Sequence, residues 1–184
     1  MRADARANHD RLLDVAGAVI TEQGAEASMR DIARQAGVGL ATLLRHFPTR
    51  ESLLEALLRT SFDELTTRAA EVETTSSPGD ALMLWLRDFV ACTTNYRGVV
   101  TSMIRAIEDP QSALHNSCVT MRAAGTRLLT RAQAADVARA DLDGADLFAL
   151  ASSLAWLGDQ PGLETRAEHL FEVVMSAILT DRAA

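Results

Sequence analysis

Residues 28–50 read SMRDIARQAGVGLATLLRHFPTR. Ser28 has the chemistry of an N-cap, and Asp31 stands in the first turn behind it, where the helix dipole favours an acid. A short helix over Met29–Gln35 is therefore predicted. Ala36-Gly37-Val38 forms a tight turn, because Gly37 enters the left-handed region at little cost. A second helix covers Leu40–His46 and stops against Pro48. Two short helices joined by a glycine turn make a helix-turn-helix, and the second is long enough to lie in a DNA major groove.

Ile32, Ala33, Val38, Leu43 and Phe47 are expected to pack inward. They would meet a preceding helix over about His9–Gln23, whose Leu12, Val15, Ala16, Val19 and Ile20 recur at helical spacing and which Gly24 stops. That leaves Leu40, Ala41, Thr42, Leu44, Arg45 and His46 facing outward. Small groups allow close approach, a threonine methyl suits thymine, and the polar ends suit phosphates. Thr49 caps a fourth helix carrying the stripe Leu53, Leu54, Leu57, Leu58, Phe62 and Leu65. Arg50, in its first turn, can hold a backbone phosphate beside the amides of that helix end.

Downstream, residues 74–79 form the most linker-like stretch. Further helices are predicted over about 80–96, 99–107 and 111–135, then from Asp143 or a neighbour to a break at Gly158–Gly162, and from Leu163 onward. Apolar residues make up 48% of the 184, and strand-length Val/Ile runs are absent. The expected fold is all-α, with about nine helices.

The net charge of −7 is unevenly spread. Residues 1–50 carry seven arginines against six acids, a net of +1, while residues 51–184 carry eleven against nineteen, a net of −8. The first quarter can approach a polyanion and the remainder cannot. There is no lysine, so every cation brings the forked geometry of arginine. No stretch is apolar enough to suggest a membrane span, and residues 1–10 lack the apolar centre of a signal peptide. Cys92 and Cys118 lack metal-ligand spacing, which fits a reducing cytoplasm, and His9, His115 and His169 lack ligand-like pairing. No nucleophile–base pair, paired-carboxylate site or phosphate-binding glycine loop is seen. The expectation is a cytoplasmic protein with no enzyme activity, catalytic residue, metal or cofactor.

The stretch LLDVAGAVITEQG, followed by IARQAGVG and ATLLRHFPTRESLL, resembles the tetracycline-repressor (TetR) family of bacterial regulators over about 50 contiguous residues. Spacing, turn, Phe-Pro stop and following Leu-Leu all agree. The resemblance implies a helix-turn-helix head over 1–48 and a ligand-binding, dimerising body over 49–184, with the fourth helix connecting them. It further implies a homodimer on a palindromic operator in double-stranded DNA, released by a small-molecule effector. By position, Ser28, Arg30, Thr42, Arg45, His46 and Arg50 fall where such regulators touch DNA, with Leu40, Ala41 and Leu44 beside them. Leu44 departs from the usual tyrosine, removing one hydroxyl-to-phosphate bond, and Ile20 and Ala25 replace the usual aromatics around the first helix.

Within the body, Trp85, Phe89, Cys92, Thr93, Tyr96, Met103, Ile107, Cys118 and Met121 form an aromatic and sulfur-rich set. They read as a pocket for a largely hydrophobic, uncharged or cationic molecule. Trp85, Phe89 and Tyr96 fit a plain core equally well, and Thr93, if buried, needs either a ligand or a backbone carbonyl as partner. The last two helices have apolar faces broader than one neighbour can cover. Leu147, Leu150, Leu154, Leu170, Phe171, Val174 and Ile178 are the expected dimer interface. Two other readings fit the same residues: a ligand-binding protein whose head has lost its operator, and an adaptor that binds only proteins.

Overall fold

The computed structural model describes residues 2–24, 26–158, 160 and 162–180. Ala25, and Asp159 and Pro161 in the expected break, lie outside the described residues. Among those described there are ten α-helices: α1 (Arg2–Gln23), α2 (Met29–Gln35), α3 (Leu40–His46), α4 (Arg50–Thr75), α5 (Pro78–Asn95), α6 (Arg97–Ser102), α7 (Ile104–Glu108), α8 (Ala113–Ala134), α9 (Gly144–Leu157) and α10 (Ala167–Ile178). A 3₁₀ turn over Glu164–Arg166 precedes α10. The all-α reading holds. The one helix expected over 99–107 is instead two, α6 and α7, with Met103 at the junction. No described helix is long and apolar enough to cross a membrane.

The chain divides into two compact units, residues 1–61 with 95–115, and residues 62–94 with 116–184. In the first, the buried residues include Leu12, Ala16, Val19 and Ile20 of α1, Ile32 and Ala33 of α2, Leu43 of α3, Phe47, and Leu53, Leu54, Leu57 and Leu58 of α4. Val38, expected inside, is only half-buried. Gly24 and Gly37 take φ of +82° and +65°, as helix stop and turn require of glycine.

The second unit is organised around Trp85. Its side chain is fully buried. The indole N–H donates to the Leu65 carbonyl at 2.7 Å. The ring stacks on Phe89 at 5.7 Å and meets the edge of Phe148 at 6.0 Å. Gly125 on α8 is the seat for this group: a Cβ there would fall 2.5 Å from two Trp85 ring atoms and 2.9 Å from Phe148. An α8 residue with any side chain would therefore have to displace a tryptophan fixed by its own hydrogen bond. Gly125→Ala is expected to lower stability by about 1–3 kcal/mol despite alanine's better helix propensity, which a denaturant titration would measure.

Helix α9 starts in a capping box, Asp143 accepting from the Asp146 amide and Asp146 from that of Asp143. The far end of α10 is pinned by a single antiparallel bridge between Ala138 and Leu179. There Arg139 N–H donates to the Ile178 carbonyl at 3.0 Å, and Thr180 N–H to that of Val137 at 3.1 Å. The Gln133 side chain donates to the Arg139 and Leu142 carbonyls, both at 2.8 Å, and closes the same loop.

Candidate nucleic-acid interface

The turn between α2 and α3 is built by the backbone. Val38 N–H reaches the Ala33 carbonyl at 3.0 Å and Gly37 N–H that of Arg34 at 3.1 Å. Ser28 caps α2: its hydroxyl accepts from the Asp31 amide at 3.1 Å and donates to the Asp31 carboxylate at 2.7 Å. Arg34 pairs with the same carboxylate at 2.8 Å. Helix α3 buries Leu43 and turns the other way Ala41, Leu44 and Arg45, all exposed, with Leu40, Thr42 and His46 half-buried beside them. Arg45 donates to the Thr42 hydroxyl at 3.2 Å, which leaves the Thr42 proton available to another acceptor. Leu44, at 37% exposure, presents a bare apolar side chain on this surface. Arg30 is also exposed.

Arg50 is held more firmly than its sequence position suggests. One guanidinium nitrogen donates to the Ala27 carbonyl at 3.0 Å, tying α4 to the residue before the α2 cap. The other lies 3.9 Å from Glu26, an ion-pair distance too long for a hydrogen bond, and is buried with no acceptor among the described residues. Thr49 and Ser52 cap α4 reciprocally, each side chain accepting from the other's amide at 3.1 Å.

Sequence reasoning missed a polar chain on α1. Arg11 donates to the Ala36 carbonyl at 3.0 Å and to Asn8 Oδ1 at 3.2 Å, and Asn8 Nδ2 lies 3.2 Å from His46 Nε2. The His9 ring lies 4.8 Å from Phe47 and 5.9 Å from His46. The available signal was Asn8 and Arg11 one helical turn apart, but the first helix was expected to begin only at His9.

Of the nine residues read as a pocket, Trp85, Phe89, Cys92, Thr93, Cys118 and Met121 belong to the second unit, and Tyr96, Met103 and Ile107 to the first. The partner of Thr93 is a backbone carbonyl, that of Phe89 at 2.9 Å. Burial pushes the Cys118 thiol up, against a smaller opposing pull from Arg122. Neither cysteine is in a disulfide. A cleft of about 310 Å³ that the sequence did not suggest lies in the second unit, lined by Met83, Arg87, Phe171, Glu172, Met175, Ser176 and Leu179.

The interface set also divides. Leu147, Leu154, Phe171 and Ile178 are buried within the protomer itself, whereas Leu170 and Val174 are half-buried and Leu150 is exposed. The large apolar groups of α9 and α10 most open to solvent include two that were not in the set, Trp156 at 56% and Val173 at 48%.

Comparison with known proteins agrees with this motif geometry at both ends of the chain. The family described as bacterial regulatory proteins of the tetR family matches residues 12–57, and the C-terminal domain of SbtR-like transcriptional regulators matches residues 77–178. The chain belongs to the TetR family. A TetR transcriptional regulator from Streptomyces coelicolor is 31% identical, with a TM-score of 0.75 over 93% of this chain and 98% of its own. A TetR regulatory protein from Mycobacterium vanbaalenii is 30% identical, with a TM-score of 0.73 over 97% and 99%. A helix-turn-helix-type regulator from Staphylococcus aureus (strain USA300) is 32% identical over 74 residues. That match spans 40% of this chain and 40% of the relative. As a TetR-family member the chain is a transcriptional regulator with a DNA-binding helix-turn-helix.

Proposed function

We propose that the protein is a homodimeric repressor whose two heads, residues 1–48, hold a palindromic operator, and which a small hydrophobic effector releases by entering the body, residues 49–184, with α4 connecting the two. The observation that carries the DNA side is the solvent-facing surface of α3. It presents Ala41 and Leu44 for close apolar contact, Thr42 with a donor to spare, and Arg45 at the rim. Ser28, His46 and Arg50 flank it as backbone contacts, and Arg30, exposed on α2, is assigned to a base edge.

One Arg45 and one Arg50 per subunit give a dimer about four phosphate contacts, hence a log–log salt slope of roughly −4. Arg50→Ala is expected to weaken all duplexes about equally. Thr42→Ala or Arg30→Ala is expected to change sequence preference. A mobility-shift titration over salt checks all three, and a folded protein that binds no fragment from upstream of its own gene at low salt would refute the reading.

For the effector, the aromatic and sulfur-bearing residues that α5 and α8 bring to the second unit suit a largely apolar molecule, with Trp85 serving as a fixed wall. Release requires that this molecule bind the DNA-free state better than the DNA-bound one, and a difference of ~3 kcal/mol shifts the equilibrium by roughly a hundredfold. Trp156→Phe leaves Trp85 as the single reporter. A titration with hydrophobic ligands should then change its emission saturably and weaken operator binding in parallel. Saturable quenching that leaves operator affinity untouched would separate ligand binding from regulation.

A further inference from the structure

We infer that Asn8 is a positioning residue for DNA recognition, which docks the C-terminal end of α3 by holding His46 as the tautomer protonated on Nδ1. The inference rests on α3 being the helix that reads DNA. Arg11 carries a guanidinium, which can only donate. The Asn8 oxygen therefore faces Arg11, at 3.2 Å, and the Asn8 amide N–H₂ faces His46. Facing a donor, Nε2 of His46 must offer its lone pair, and a neutral ring with a bare Nε2 carries its proton on Nδ1.

The same Arg11 donates to Ala36, the C-cap residue of α2. Three hydrogen bonds thus run from the end of α2, across α1, to the last residue of α3. The need for them is geometric. Helix α3 has seven residues, too few to hold its own course. Leu43 and Phe47 anchor it by apolar burial, which is non-directional and leaves rolling about the helix axis weakly opposed. A hydrogen bond to the last residue is directional and opposes that roll. The titratable and charged groups around the His46 ring are His9 at 5.9 Å, Arg11 beyond Asn8, and Arg45 on the same helix, whose guanidinium is engaged on Thr42. The one N–H left to His46, on Nδ1, is the donor available to a phosphate.

The test uses the full chain with ¹⁵N-labelled histidine rings, at a pH where the ring is neutral. Its DNA probes are a duplex selected by the wild type from a random library and an unrelated duplex of equal length. Wild-type His46 is expected to show an unprotonated Nε2. In Asn8→Ala the proton should move to Nε2, and the selected duplex should bind about tenfold more weakly, two net hydrogen bonds being lost per dimer. The unrelated duplex, held by charge alone, should change less than about twofold. Asn8→Asp presents only acceptors at the same size, so it should force the proton onto Nε2 even if Asn8→Ala folds poorly. A wild-type ring protonated on Nε2, an Asn8→Asp ring still protonated on Nδ1, or an equal effect of Asn8→Ala on both duplexes would each overturn the proposal. If the wild type selects no duplex, the DNA reading itself fails and takes this role with it. That case is distinguishable, because the His46 tautomer is read without DNA.

Discussion

Trp85→Ala is expected to cost about 3–5 kcal/mol of stability, the largest effect of any single side chain in the second unit. The indole is fully buried, so its removal opens a cavity among Phe89, Phe148 and Gly125. Gly125 brings no side chain to fill it. The Leu65 carbonyl also loses its indole donor, adding the penalty of an unpaired polar group. Trp85→Phe keeps most of the volume but not the N–H, and should fall between the two. Chemical denaturation of the three proteins would order them. A melt of Trp85→Ala within a degree or two of the wild type would mean that the ring does not organise this core.

A charge at an exposed apolar residue of α9 or α10 should produce the largest functional effect. Trp156, Val173 and Leu150 are the exposed large hydrophobics of these two helices among the described residues. Only Leu150 belongs to the interface set read from sequence, and all three are assigned to the proposed contact with a second copy. Val173→Asp and Trp156→Asp place an unpaired carboxylate in that contact while leaving the protomer's own core intact. Sedimentation is expected to show monomers at micromolar concentration. Operator affinity should drop by roughly 10²–10⁴, because linked heads bind as one event and separate heads as two. The melting temperature of a dimer depends on protein concentration, and that dependence should disappear in the variants. Monomers that still hold a full operator as tightly as the wild type would remove dimerisation from the mechanism.

The parts of this fold that were legible in sequence are those governed by neighbouring residues. The bounds of α2 and α3 follow from Ser28, Gly37 and Pro48, each of which acts within a few positions of itself. The start of α9 beside Asp143 is equally local. The division between α6 and α7 at Met103 carries no glycine or proline to announce it. Nor does the Ala138–Leu179 bridge, which joins residues far apart in sequence. Apolar periodicity gave the buried faces of α9 and α10, but it cannot say which neighbour covers a face. Leu147, Leu154, Phe171 and Ile178 therefore looked like contact residues although they sit in the protomer's own interior. The Asn8–His46 link stayed hidden for a related reason. Polar residues on an outer helix turn look solvated until a partner from another segment is placed beside them.

Helix ends ordinarily unravel first, since their last carbonyls have no partner. At α10 that freedom is withdrawn, because the Ile178 carbonyl accepts from Arg139 and Thr180 donates back to Val137. The segment so engaged runs directly into the Asp143 cap of α9, so the two helices are joined at both ends, through residues 158–166 at one and 137–142 at the other. They make a closed hoop. A hoop resists shear where an open hairpin would slip, so the amides of Leu179 and Thr180 should exchange with solvent as slowly as those in the middle of α10.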